Sequence, residues 1–221
     1  FIDNAMNLID GIDGLSAGLA VIALCGFISG FYCIQLYIYC ILIAGLIGIL
    51  IAYLYYNLLG KAEKGMKIFM GDSGSLTLGF MLSFFIVKYS MSRPDLIPAN
   101  TYYISIFGTS MPYEQICLAF AYTLLIVPTF DVFRVIFVRL YHHTPIFNPD
   151  KRHIHHKLLA LGMTQHQALF TILVLQILYI VVNGLMMPHF NITVIVITDI
   201  IIFTTFNVAV TTITKKRSMN K

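Results

Sequence analysis

Roughly six apolar stretches, each near the twenty or so helical residues that cross a hydrocarbon core, limit what this chain can fold into. They lie at about 15–34, 36–58, 73–91, 114–138, 169–187 and 191–213, with ends uncertain by a few residues. The chain is 58% hydrophobic and 11% charged, where soluble domains carry about 25% charged residues. An ordinary water-soluble domain is excluded, and the expected fold is an all-α, polytopic transmembrane helix bundle. Very short links near Gln35 and at Pro188-His189-Phe190 predict two tight helical hairpins. Cys25, Cys33, Cys40 and Cys117 all sit inside apolar runs and read as small buried hydrophobes.

Counting crossings sorts the polar segments by side. Residues 1–14, 59–72, 139–168 and 214–221 are separated by two spans each and must share a compartment. That side holds Lys61, Lys64, Lys67, Arg139, Lys151, Arg152, Lys157, Lys215, Lys216, Arg217 and Lys221, whereas the other holds Lys88 and Arg93. The positive-inside rule makes the first side cytoplasmic, the C-terminus included. Six of the seven histidines are there as well. The polar motifs are thereby gathered onto one face.

Three constellations occupy that face. In the first, Asn4 and Asn7 lie one helical turn apart, Asp10 and Asp13 follow, and Gly11 and Gly14 interrupt the helix at the membrane boundary. Asp13 is the expected N-cap of the next helix. Two readings stand: capping and turn chemistry, or oxygen ligands for a divalent metal and a phosphate. The second is Gly71-Asp72-Ser73-Gly74-Ser75 at the start of the third span, where exposed N–H groups and the helix dipole suit a phosphate. Asp72 stands where an N-cap or a Mg²⁺ ligand would stand. The third is Asn148-Pro149-Asp150-Lys151-Arg152-His153-Ile154-His155-His156-Lys157. A zinc site needs about four ligands and no Cys or Glu completes this set, so a cationic patch for a pyrophosphate is the stronger reading. Elsewhere, Pro128 is expected to kink the fourth span, and Asp131 and Arg134 are spaced to pair within it, as a functional group or a structural ion pair. Asp199 stands alone in the last span.

Asn4-Ala-Met-Asn7-Leu-Ile-Asp10-Gly-Ile-Asp13-Gly-Leu, Gly71-Asp72-Ser-Gly-Ser75 and Pro145-Ile-Phe-Asn-Pro149-Asp150-Lys-Arg-His153-Ile-His155-His156 occur in this order. Together they resemble the polyprenyl-phosphate N-acetylhexosamine-1-phosphate transferases, glycosyltransferase family 4. The resemblance implies an enzyme of the bacterial inner membrane, active on its cytoplasmic face. It would transfer a sugar phosphate from a UDP-N-acetylhexosamine to undecaprenyl phosphate, release UMP, and require Mg²⁺ or Mn²⁺. The loop before His153, with Ile154 interrupting the histidine run, resembles the UDP-GlcNAc branch that starts O-antigen, common antigen or teichoic acid linkage units. The peptidoglycan branch, which transfers phospho-MurNAc-pentapeptide, is the alternative.

The implied roles are Asp72 and Asn7 as metal ligands, with Asp10 and Asp13 holding the metal shell or the nucleotide. His153, His155, His156 and Arg152 would take the diphosphate, with Asn4, Ser75 and Lys151 also contacting substrate. Direct attack by the lipid phosphate is preferred to a covalent aspartyl intermediate. A homodimer is compatible with the resemblance, and no nucleic-acid partner is expected. The family also carries an upstream Asp-Asp pair that these 221 residues lack. The chain, opening directly on a motif without Met, therefore reads as the C-terminal portion of a single membrane domain, 1–221, with N-terminal spans elsewhere and little activity alone. The rival classes are a transporter relaying through Asp131, Arg134 and Asp199, and a membrane scaffold.

Overall fold

The computed structural model describes residues 1–92, 113–143, 145 and 153–219, and the regular structure among them is helical. A short helix α1 (Ile2–Ile9) leads through a corner into α2 (Leu15–Cys33), which pairs with α3 (Tyr37–Leu59). A 3-10 turn at Ala62–Lys64 precedes α4 (Gly71–Met91). Then come α5 (Tyr113–Thr123), α6 (Ile126–Tyr141), the short α7 (Ile154–Ala160), α8 (Gln165–Met186) and α9 (Ile192–Met219). Five of these, α2, α3, α4, α8 and α9, are long and apolar enough to cross a bilayer, and α5 with α6, bent by 78°, passes the same test as a pair and counts as a sixth if the pair is one span. The six expected apolar stretches fall on these helices, with ends displaced by a few residues.

Helices in lipid associate through close packing and polar contacts, because lipid tails are as apolar as the side chains. α2 is the hub for this reason: small residues stud it, and 56% of its most apolar window is buried, against 11% for α3. A Cβ on Gly26 would lie 2.3 Å from Leu124, and one on Gly30 would lie 2.8 Å from Tyr89. Phe27, Phe31, Phe85 and Tyr89 fill the space between α2 and α4 with edge and tilted ring contacts. α3 instead turns Ile41, Ile49 and Tyr55 outward, as a lipid-facing helix does.

α1 is seated by backbone contact. A Cβ on Gly79 of α4 would fall 2.4 Å from the Cα of Asp3, so the two helices touch with no side chain between them. Ser83 adds a hydrogen bond to Asp3 at 3.3 Å. This contact lays α1 back along α4 and carries its far end toward the start of that helix.

The bend in the fourth crossing lies just ahead of Pro128, as expected of a proline, whose ring and missing N–H disrupt the turn back to residue i−4, here Leu124. It falls at Leu124–Leu125, and Pro128 sits in the first turn of α6, where a missing N–H costs little. Freed backbone groups in lipid must find partners, and Gln176 of α8 supplies them. Its Oε1 accepts from the Val127 N–H at 3.2 Å and its Nε2 donates to the Thr123 carbonyl at 2.8 Å. Asn183 donates to Thr123 Oγ1 and to Asp199 Oδ2, each at 2.9 Å, and Tyr122 donates to Asp199 at 3.2 Å. Asp199, which stood alone in the sequence, thus belongs to a buried knot joining α5, α8 and α9. The rival transporter reading placed Asp199 in a relay, but these polar groups are spent on holding the break.

Because only backbone lies opposite Gly79, a methyl group there has nothing flexible to displace. Gly79→Ala is expected to cost about 1–3 kcal/mol, seen as a lower midpoint of thermal unfolding in detergent. Gly18→Ala, whose Cβ would meet only the Leu173 side chain at 3.1 Å, should stay near the parent midpoint. An unchanged midpoint for Gly79→Ala would contradict the backbone seating.

Candidate functional site

The corner between α1 and α2 forms one wall of the site. Gly14 adopts φ +75°, a conformation that side-chain-bearing residues avoid, and turns the chain into α2. Gly14, not Asp13, occupies the N-cap position, and no side chain caps this end. The capping role expected of Asp13 is therefore not realised. Its carboxylate pairs instead with Lys67, 2.6 Å away. Asp10, at the C-terminal end of α1, accepts a hydrogen bond from Ser16 at 2.5 Å.

The start of α4 forms the facing wall. Gly71 takes φ +65°, and Met70 occupies the N-cap position without a side-chain cap. Asp72 falls in the first turn rather than at the cap, and is exposed. The connection before it is held in place by Asn57, whose amide donates to the Ile68 carbonyl at 2.8 Å. Asn7, Asp10, Asp13 and Asp72 line one cavity of about 490 Å³ with Lys67, Asn57 and Gln165. Those residues come from the ends of α1, α2, α3, α4 and α8, so span parity had rightly gathered them at one end of the bundle. Burial pushes the Asp10 carboxyl above its ordinary value; the Ser16 hydrogen bond opposes this, and the charges of Asp13 and Asp72 add to the rise. Three carboxylates share this cavity with one paired lysine, an arrangement that favours a cation.

Two further residues assigned to substrate do not reach the cavity wall. Asn4 is exposed on α1 and is not among the lining residues. Ser75 is buried, and its hydroxyl donates to the carbonyls of Gly71 and Asp72 at 3.2 Å each, serving the first turn of its own helix.

The histidine motif arrives through α7. His153 precedes this helix, and its Nδ1 lies 2.8 Å from Asp131 Oδ2. The other oxygen of Asp131 accepts from the Ile154 N–H at 3.1 Å and from Arg134 Nη2 at 2.7 Å. Asp131, 1% exposed, therefore fastens the N-terminus of α7 to the bent span. The expected Asp131–Arg134 pair exists, but the histidine and the helix end that Asp131 also holds were not legible from spacing, because both lie more than twenty residues away.

His155 is packed against the first constellation: a Cβ on Gly11 would lie 2.1 Å from its Nε2. Its ring is 1% exposed, and neither nitrogen has a hydrogen-bond partner among the described residues. Burial, reinforced by the neighbouring charge of His156, pushes its pKa down to about 4. His155 is thus a neutral imidazole at pH 7, unlike the cation that the basic patch implied. His156 stacks obliquely on it, ring centroids 4.2 Å apart. Lys157 turns away from the cavity, and its amine meets Asn207 Oδ1 and Thr211 Oγ1 of α9, each at 3.3 Å. Lys151 and Arg152 lie outside the described residues.

Comparison with known proteins agrees with these motifs. Residues 1–90 match the family model described as glycosyl transferase family 4, and so fall within that family. A probable undecaprenyl-phosphate N-acetylglucosaminyl 1-phosphate transferase of Bacillus subtilis is 34% identical over 77% of this chain and 41% of its own length. A decaprenyl-phosphate N-acetylglucosaminephosphotransferase of Mycobacterium tuberculosis is 32% identical over 76% of the chain and 41% of its own. The undecaprenyl-phosphate alpha-N-acetylglucosaminyl 1-phosphate transferase of Escherichia coli K12 is 30% identical over 75% of the chain and 40% of its own. The chain thus spans about two fifths of the length of the curated relatives it matches. No solved structure matches it.

Two outcomes follow from the electrostatics. Asp10→Asn keeps the hydrogen bond to Ser16 and removes one of three like charges, so thermal stability at pH 7 should rise or hold while turnover falls. A clear drop in stability would show that the Asp10 charge is structural. His155 takes no proton in the fold until about pH 4, whereas an unfolded histidine takes one near pH 6.5. Stability should therefore fall as pH drops from about 6.5 toward 4 and level off below. His155→Gln should flatten that decline, and an unchanged pH profile would argue against a buried neutral ring.

Proposed function

We propose that this chain carries the catalytic site of a polyprenyl-phosphate N-acetylglucosamine-1-phosphate transferase. The enzyme takes GlcNAc-1-phosphate from UDP-GlcNAc, delivers it to undecaprenyl phosphate and releases UMP, starting a cell-envelope polysaccharide. The site and the C-terminus face the cytoplasm of a bacterial inner membrane, a reading supported by the excess of Lys and Arg on the motif-bearing side. The observation that carries the proposal is the cavity lined by Asp10, Asp13, Asp72 and Asn7 at the end of a membrane bundle. N-acetylglucosamine in the names of all three relatives favours that donor over the peptidoglycan alternative.

An oxygen of the lipid phosphate attacks the sugar-bearing phosphorus. One P–O bond forms as the P–O bond to UMP breaks, and UMP leaves with the bridging oxygen. A phosphate monoester is already largely ionised near neutral pH, so no side chain has to remove a proton first. Catalysis is then a matter of alignment and charge. Asp131 fixes His153 and the start of α7, and α7 in turn presses His155 against Gly11 at the cavity wall. The Asp13–Lys67 pair leaves a cation next to the carboxylates, able to meet a phosphate oxygen.

The donor set fits Mg²⁺ or Mn²⁺, since carboxylate and amide oxygens are hard ligands. Among the described residues no three His, Cys, Asp or Glu side chains are gathered closely enough to hold an ion alone. Mg²⁺ needs only one or two protein carboxylates and completes its shell with phosphate oxygens and water. Asp72 and Asn7 would hold it, with Asp10 and Asp13 alongside. When bound, the ion would neutralise charge on the diphosphate and the departing UMP.

UMP release by the full-length protein in detergent, with undecaprenyl phosphate and Mg²⁺, tests the reading. UDP-GlcNAc should yield UMP and UDP-MurNAc-pentapeptide should not; release from the pentapeptide donor alone would move the protein to the other branch. Asp72→Asn should lower kcat by about 10²–10³ with the fold intact. Parent-level turnover in that variant would remove Asp72 from the metal site.

A further inference from the structure

A second cavity, an open groove of about 810 Å³, runs between α6 and α9. Phe130, Phe133 and Phe137 form one wall and Ile200, Phe203 and Val208 the other. Phe137 and Val208 are 67% and 58% exposed, so the groove opens outward between two membrane-crossing elements. In a bilayer such a groove is filled by hydrocarbon chains. What distinguishes it is charge, since Arg134, Lys157 and Lys215 line the same space.

These cations are differently held. Arg134 binds Asp131 at 2.7 Å. The Lys157 amine meets two neutral oxygens, Asn207 Oδ1 and Thr211 Oγ1, and its charge is poorly compensated: burial, then the charge of Arg134, pushes its pKa down to about 8. Lys215 follows Thr211 by one turn of α9, at the head of the basic tail Lys215-Lys216-Arg217. An anion placed between Lys157 and Lys215 would relieve this cost while its chains lay along the phenylalanine wall.

We propose that the α6–α9 groove binds an anionic bilayer phospholipid, with its phosphate at Lys157 and Lys215 beside Arg134 and an acyl chain along Phe130, Phe133 and Phe137. The occupant is a phospholipid and not the lipid phosphate that reacts, because the groove shares no lining residue with the carboxylate cavity. The Asp131–His153 contact and α7 stand between the two. A lipid here touches the machinery indirectly, since Arg134 binds the same carboxylate that fastens His153. The site is independent of the reaction proposed above.

The test is lipid retention by the purified full-length protein, followed by native mass spectrometry with phosphatidylglycerol and phosphatidylcholine of identical chains. Phosphatidylglycerol should be retained about twenty-five-fold better, since each of the two lysines near a membrane phosphate adds roughly one factor of five. Lys157→Gln with Lys215→Gln should abolish the preference. Val208→Trp, which fills the groove from an exposed position, should lower retention of both lipids without disturbing the core. Equal retention of the two lipids, or a preference that survives all these substitutions, would overturn the proposal. Displacement of phosphatidylglycerol by undecaprenyl phosphate, lost in the same variants, would overturn it in favour of the reacting lipid as occupant.

Discussion

The carboxylate of Asp131 is the point on which the arrangement of this protein turns. It is buried within a bent membrane crossing and collects an arginine, a histidine and the first N–H of a helix. A charge at that depth is costly unless it is fully partnered. Here the partners come from two parts of the chain that otherwise meet little. Through this one group the bent span specifies where α7 begins, and α7 specifies how its histidines approach the corner at Gly11. Removing one partner would leave the rest as uncompensated charge, so the contacts stand or fall together.

The carboxylate cavity follows the opposite rule. Asp10, Asp13 and Asp72 are brought together, and among the described residues Lys67 pairs with Asp13, while Asp10 is uncomfortable there. Nothing about folding asks for this. Sites that must bind charge often carry such unrelieved electrostatics, at a cost in stability. The seating of α1 on Gly79 explains how the cost is sustained: a backbone contact, indifferent to charge, holds the acidic corner in position.

Much of this was legible in the chain. The apolar stretches and the side on which the motifs gather followed from hydropathy and parity, and the grouping of Asn7, Asp10, Asp13 and Asp72, which line one cavity, followed from the family resemblance. Features that depended on long-range geometry did not. Pro128 marked the bend, which falls one turn before it, but not the partner that satisfies the freed backbone, Gln176 from another helix. Asp199 looked solitary because its partners, Tyr122 and Asn183, are distant in sequence. Lys157 read as one more charge in a basic patch, yet two residues of helix, about 200° of rotation, carry it from the face of His155 to the far side of α7. His155 read as a cation because composition does not record burial.

The elbow between α5 and α6 has a consequence for how the protein is made. Gln176, which satisfies the backbone on both sides of the break, is synthesised forty-nine residues after Val127. Until α8 is in the membrane, the Thr123 carbonyl and the Val127 N–H lack that partner, and hydrocarbon supplies no substitute. The bent crossing therefore cannot settle as it emerges. It has to wait, straight or interfacial, for a helix that arrives two segments later, and the histidine helix fastened to it at Asp131 waits with it. Completion of the bent crossing thus depends on α8 as well as on the segments that carry the motifs.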